Sequence, residues 1–241
     1  MTTSNAAPHP APEAEEFYRR WIQFLDDELT RHSSAERRAE IVRDQLYQLY
    51  LGRPHSGPQS SVLTTELPAT ILELSLAPNN VTLEAESFPE IDRARYAERK
   101  PLLWFWKMFD RSPVGMNLWL GWRFRAMLAR HIFAALGQGV KLSPGIELTF
   151  GYNLSIGDGA SIRPGALLND RGGITIGAKA VVGSYARVFS HAHDTVDYDK
   201  VSLRPTTIGD GAHIASHEIV LGGSVIANGA LLGSFPDDPH L

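Results

Sequence analysis

Hydrophobic positions along the chain keep two different periods. Near the start, Tyr18, Trp21, Ile22, Leu25 and Leu29 fall at i, i+3, i+4 and i+7, which predicts an amphipathic helix over Glu13 to Thr30. A second helix follows from the capping-box pattern "SSAE", Ser33 to Glu36, and carries Val42, Leu46, Leu49 and Tyr50. Gly52 and Pro54 end it. The first fifty or so residues therefore read as a helical hairpin. Residues 1–12, rich in Pro, Ala and Ser, are expected to be disordered. From Ser56 to Pro89, "TILELSL" and "NNVTLEAESF" alternate weakly, which leaves short strands and an extended linker both open.

Residues 101–136 hold four of the five tryptophans, interleaved with Arg111, Arg123, Arg125 and Arg130. A helix over about Asn117 to Leu136 would carry Trp119, Trp122, Met127 and Phe133. Such a face either settles at a membrane surface, as a peripheral contact, or packs on a neighbouring domain or subunit. Packing on protein is the commoner use of an amphipathic helix and is preferred.

From Ile156 onward the period changes to six. "IGDGAS", "IRPGAL", "IGAKAV", "VGSYAR", "IGDGAH", "IASHEI", "VLGGSV", "IANGAL" and "LGSFPD" each open on an aliphatic residue, and most carry Ala or Ser in fifth place. A helix with that period would let its apolar face drift round the cylinder. Short strands joined by tight turns suit it, with one aliphatic side chain inward per flat face and Gly or Asp in the turns.

These hexapeptides resemble those of the hexapeptide-repeat acyltransferases over about Val140 to Leu232. The resemblance implies a mainly β fold, a left-handed parallel β-helix behind an N-terminal α-helical region. Three hexapeptides then make one eighteen-residue coil. The implied organisation is a mostly helical region at 13–137, with a linker around 56–100, and a β-helix domain at 138–241. Ile156 to Ile176 is twenty residues, so a small excursion is expected near "LNDRGG", Leu168 to Gly173. Ile176 to Ile208 is thirty-two, and the excess falls after Val188, in "FSHAHDTVDYDK". Loops extruded from a rigid scaffold are where sites are built.

That loop holds His191, His193 and Asp194. The chain is similar here to the maltose, galactoside and exopolysaccharide O-acetyltransferases, whose catalytic histidine sits at the root of this loop. Counting from Ile176, His193 rather than His191 falls at the base's place. A histidine suits the task, because an imidazole with a pKa near neutrality can take a hydroxyl proton during attack on a thioester. Its second ring nitrogen needs an acceptor to fix the tautomer, which Asp194 or a backbone carbonyl could supply. The resemblance also places Ser216, in "HIASHEIV", as an oxyanion donor, although His213 stands where relatives often have Trp. It makes Asn169 and Asp170, with Asp194, candidates for binding the acceptor. Acetyl-CoA is the implied co-substrate, passing along Ala215, Gly222 and Gly223. The implied assembly is a homotrimer with sites between subunits, and the implied acceptor is a saccharide.

Composition narrows the alternatives. There is no cysteine, which excludes disulfides, thiolate metal sites and a cysteine nucleophile. A net charge of −4 gives no sign of a nucleic-acid binder. The N-terminus lacks a secretory pattern, so a cytoplasmic protein is expected. A zinc enzyme like the γ-type carbonic anhydrases needs three histidines in register. His213 and His217 are four apart with Ser216 in the expected ligand position, so no metal is expected. A non-catalytic oligomeric scaffold is the remaining alternative.

Overall fold

A computed structural model of the chain describes residues 9–56, 67–197 and 200–234. The expected disorder at the N-terminus falls largely on residues 1–8, outside the described residues. Pro12 already opens the first helix, α1 (Pro12–Arg31), with Glu13 and Glu15 in its first turn and Arg31 in its last, each sign suited to the helix dipole. The second helix, α2 (Ala35–Leu51), is capped by Ser34 rather than Ser33: the Ser34 hydroxyl accepts from the Arg37 N–H at 3.3 Å. Gly52 ends it at φ 63°, a left-handed conformation that a side chain would strain.

The stretch left open between strand and linker is helical where described. α3 (Leu67–Ser75) is followed by 3₁₀ turns at Pro78–Asn80 and Glu84–Ser87. A long helix then follows, α4 (Arg93–Arg111), capped by the Asp92 carboxylate, which accepts from Ala94 and Arg95 N–H at 3.1 and 3.0 Å. It runs straight through Pro101, a residue that usually ends a helix, so the sequence segment beginning at 101 starts in mid-helix.

The helix expected over 117–136 stops at Ile132: α5 spans Leu118–Ile132 with Asn117 as its cap. It ends early because Ala135–Leu136 is already the first strand of the coil, paired in parallel with Ser155–Ile156. The coil therefore begins a few residues before 138. The aromatic face of this region packs inward. Trp106, Phe109, Trp119, Met127 and Phe133 are buried, Phe109 stacks on Phe124 at 3.8 Å, and Trp21 of α1 stacks on Phe124 at 5.1 Å. The Trp106 indole donates to the Ile146 carbonyl at 3.2 Å, joining α4 to the coil. The side chains named here pack on protein, while Met116 and Leu118 of the same segment stay exposed. Among the described residues no helix is long and apolar enough to cross a membrane.

Beyond α5 the chain winds as a three-sided parallel β-helix, the architecture the repeat predicts. The first face stacks Ala135–Leu136, Leu154–Ile156, Ile174–Ile176, Thr206–Ile208 and Val225–Ile226. The second stacks Lys141–Leu142, Ser161–Ile162, Val181–Val182, His213–Ile214 and Leu231–Leu232. The third stacks Glu147–Leu148, Leu167–Asn169, Arg187–Phe189 and Ile219–Val220. Inward side chains form columns, such as Leu142, Ile162, Val182 and Ile214, each at most 1% exposed. Each such residue contributes about 1.5–3 kcal/mol by leaving water. Ala160, Ala166, Ala180, Ala186 and Ala212, all fully buried, fill the narrow places beside them.

The register confirms the counting. Ile156 pairs with Ile176, and Ile176 with Ile208, so the extra residues leave the ladder undisturbed. Leu136 also pairs with Ile156, so the first coil carries two extra residues as well, which the repeat did not reveal because its hexapeptides are irregular there.

Candidate active site at the third corner

The corner between the third and first faces is longest in the third turn of the coil. It holds residues 149–153 in the first turn, 170–173 in the second and 190–205 in the third. Each extension is fastened to its neighbours by side chains. Asp170 is fully buried, and its carboxylate accepts from the N–H groups of Phe150 at 2.8 Å and Asn153 at 3.1 Å. Burial pushes its pKa up while these backbone bonds oppose the rise. An oxygen pair so enclosed cannot meet an acceptor sugar, so Asp170 holds the first extension rather than a substrate. The Ser190 hydroxyl donates to the Asn169 carbonyl at 2.7 Å and accepts from the Gly172 N–H at 2.9 Å. Thr206 donates to the Phe189 carbonyl at 2.7 Å, and its oxygen accepts from the Gly223 N–H at 3.1 Å.

The third extension is a hairpin. His191–His193 pairs antiparallel with Val201–Leu203, and the Arg204 N–H closes its neck on the Ser190 carbonyl at 2.8 Å. Strand alternation puts His191 and His193 on one side, where their rings meet edge to face with centroids 5.3 Å apart. His191 is buried, and its Nδ1 has no hydrogen-bond partner among the described residues. Burial, then the charge of Arg171, lowers its pKa, so it is neutral at pH 7. His193 is half-buried. Among the described residues Asp194 Oδ1 accepts from Val196 and Asp197 N–H at 2.8 and 2.9 Å rather than from a ring nitrogen, and these bonds lower its pKa. Asp194 therefore shapes the hairpin's tip.

Two residues that no spacing pattern singled out also shape this corner. Arg171, buried, forms an ion pair with Glu90 from the segment between the 3₁₀ turn and α4. Its guanidinium lies 4.1 Å over the Phe88 ring. Burial would raise the Glu90 pKa, but the Arg171 bond prevails and lowers it. The pair ties the helical region to the root of the hairpin.

The other candidates separate into two groups. Asn169 ends a third-face strand beside Phe189, and its Oδ1 is buried without a hydrogen-bond partner among the described residues. Gly222 lies against the hairpin root: a Cβ there would stand 2.6 Å from the His191 nitrogen, so its smallness serves the loop. Gly223, at φ 87°, lies beside the Arg204 side chain. Ser216 is exposed and Ala215 buried, both at the second corner, where His217 stacks on Tyr185 at 5.2 Å. A whole face of the prism separates Ser216 from the corner that carries the hairpin. One protomer therefore does not assemble His193 and Ser216 in a single site. Among the described residues no group of three or more His, Asp or Glu is placed to hold a metal ion.

The fold is a hexapeptide-repeat β-helix. No protein-family model matches the chain, and no curated protein matches it. Solved structures to which the chain is similar lie at low identity. A hexapeptide-repeat-containing acetyltransferase from Vibrio cholerae, complexed with acetyl coenzyme A, is 21% identical over 65% of this chain and 87% of its own, with a TM-score of 0.40. A maltose O-acetyltransferase from Clostridium difficile is 17% identical over 57% of this chain and 75% of its own, with a TM-score of 0.39. A serine acetyltransferase from Neisseria gonorrhoeae, in complex with serine, covers 93% of this chain and 94% of its own at 16% identity and a TM-score of 0.30.

Proposed function

We propose that the protein transfers an acetyl group from acetyl-CoA to a hydroxyl of a saccharide. The observation that carries this reading is the hairpin at the third corner, which presents two imidazoles side by side from a rigid coil. His193, the more exposed of the two, is the general base. It takes the hydroxyl proton as the oxygen attacks the thioester carbonyl, and the imidazolium then returns that proton to the leaving thiolate. No acyl-enzyme forms, which accords with a chain that has no cysteine. His191, buried and neutral, backs the His193 ring.

Ser216 serves as oxyanion donor from a neighbouring copy, since its corner is not the hairpin's corner. The assembly is a homotrimer in which the hairpin of one chain reaches the second corner of the next. Coenzyme A runs between the prisms along Ala215 and Gly223, while Gly222 is occupied by the loop root. The reaction is cytoplasmic, where acetyl-CoA is made.

The test is release of free thiol from acetyl-CoA in the presence of a panel of sugars. Turnover that depends on a sugar, lost in His193→Ala and reduced less in His191→Ala, supports the reading. Absence of sugar-dependent release, or full activity in His193→Ala, refutes it.

A further inference from the structure

At the foot of the coil, between α5 and the corner that joins the first and second faces, runs an open groove of about 300 Å³. Trp122, Arg123, Ala126 and Arg130 of α5 form one wall. The turn Gly137–Gln138–Gly139 and Lys141 of the first coil form the other. The chain has more acids than bases, 27 against 23, yet among the described residues no carboxylate lines this groove. Asp158 of the next coil reaches the same turn without lining the groove, and its Oδ1 accepts from the Gln138 N–H at 2.7 Å.

The cations around the groove are not equally engaged. Arg130 pairs with Asp26 at 2.8 Å. On α1, Arg19 pairs with Glu15, and Arg20 with Glu16 at 2.7 Å, beside a neighbouring groove that shares Arg123, Ala126 and Arg130. Arg123 and Lys141 belong to no ion pair among the described residues. Arg123 donates to the Trp119 carbonyl at 3.0 Å, and its guanidinium lies 3.7 Å over the Trp119 ring. The Arg19 guanidinium comes within 5.1 Å of the same ring, so two like charges converge on one indole. Lys141 Nζ lies 5.3 Å from the Trp122 ring. An aromatic face holds a cation in place without cancelling its charge. Both side chains are therefore set in position with N–H donors still to give.

The occupant must bring negative oxygens to a guanidinium and an ammonium at once. A carboxylate carries one charge and two oxygens in a plane, which match a single guanidinium fork. A phosphate monoester carries close to two charges at neutral pH and three acceptor oxygens, enough to meet the fork and the ammonium together. Trp122, Leu136 and Val140 lend apolar surface to a short organic group. The volume lies at the small end of ligand sites, which suits a small ester. We infer that this groove binds a phosphate monoester, held by Arg123 and Lys141. It stands on the first coil, whereas the histidine hairpin leaves the third corner in the third turn, so the inference does not rest on the acetyl-transfer reading.

Calorimetry and phosphorus NMR on the full chain test it with glycerol phosphate; acetate is the single-charge control. Glycerol phosphate is expected to bind and acetate is not. Arg123→Gln and Lys141→Gln are each expected to weaken binding at least tenfold, whereas Arg20→Gln, in the neighbouring groove alone, leaves it within twofold. Lys141 is exposed, so Lys141→Gln is expected to melt with the parent protein and separates lost binding from lost fold. Co-sedimentation with vesicles of phosphatidylcholine and phosphatidic acid, against phosphatidylcholine alone, distinguishes a lipid headgroup from a free ester. Binding to the acidic vesicles only, lost in both variants, upholds the phosphate site and assigns it to lipid. Binding to neither probe, acetate binding as tight as that of glycerol phosphate, or an equal loss in Arg20→Gln and Lys141→Gln overturns the inference.

Discussion

The backbone of His191 rests against the α-carbon of Gly222, one coil further on, so closely that a methyl group there would stand 2.6 Å from the His191 nitrogen and 2.8 Å from its carbonyl carbon. The hairpin's first strand is thus seated on the only residue type that lets it approach. Gly222→Ala must push the strand outward, because both contacts are backbone and cannot swing away. The expected result is a loss of at least tenfold in turnover with the β-helix intact. Circular dichroism alongside thiol-release rates checks it; unchanged turnover would show that the hairpin's seat does not position the imidazoles.

Separation of the two corners makes a sharper prediction about assembly. His193→Ala and Ser216→Ala chains, each impaired alone, should complement when unfolded together and refolded, since a mixed trimer can hold one site with both groups intact. Random mixing of equal amounts would restore roughly a quarter of the sites. Equilibrium sedimentation checks the trimer, and activity of the mixture checks the sharing. A mixture no better than the sum of its parts would place His193 and Ser216 in separate roles.

Acid should weaken the fold through His191. Burial and Arg171 depress its folded pKa below the ordinary value of about 6.5. The unfolded chain therefore takes up this proton first as pH falls. Stability is complete above about pH 6.5 and declines as pH drops from there through the lower folded value. His131, half-buried and lowered by desolvation against the pull of Asp26, adds to the same slope. Urea midpoints between pH 7.5 and 5 should fall, and less steeply in His191→Asn. An equal slope in that variant would assign the effect elsewhere.

Under the coil, Arg125 is 1% exposed and forms an ion pair with Asp110. It also donates to the Gly115 carbonyl at 2.7 Å. Asp110 in turn accepts from the Gly145 N–H at 2.8 Å, so one carboxylate joins α4, α5 and the second corner of the first coil. Asp110→Ala leaves a buried guanidinium without its counter-charge, and about 3–5 kcal/mol of stability should be lost. Urea denaturation measures it. A loss under 1 kcal/mol would mean that water reaches Arg125.

The first helix boundary offers a small, clean test of sequence against structure. Ser34→Ala should cost about 1 kcal/mol and Ser33→Ala little, because only the Ser34 hydroxyl meets an orphan N–H. The sequence motif pointed one residue earlier because Ser33 has Glu36 three places on, and a pattern cannot tell which of two adjacent hydroxyls turns inward.

That case typifies what was legible. The coil could be read because its side chains repeat in a strict beat. The hairpin could be located because Ile176 and Ile208 remain partners across thirty-two residues. α4 escaped because Pro101, a residue type that usually ends a helix, stands in its middle. The candidate site was legible in part: the spacing pointed to the loop that carries His191 and His193, whereas Asp170, offered by the resemblance as a sugar ligand, is a clasp between turns. Glu90 and Arg171 gave no signal, because their roles depend on how the helical region folds back across the third face, which no local period encodes.

The clasps at the third corner have a further consequence. Ser190 and Arg204 close the hairpin's neck, and the ladder above and below runs on as though nothing had been inserted. The tip between Asp194 and Lys200 can therefore lengthen, shrink or change its lettering while the storeys of the tower stay level. Such a building lets evolution redecorate one balcony without ever touching the staircase.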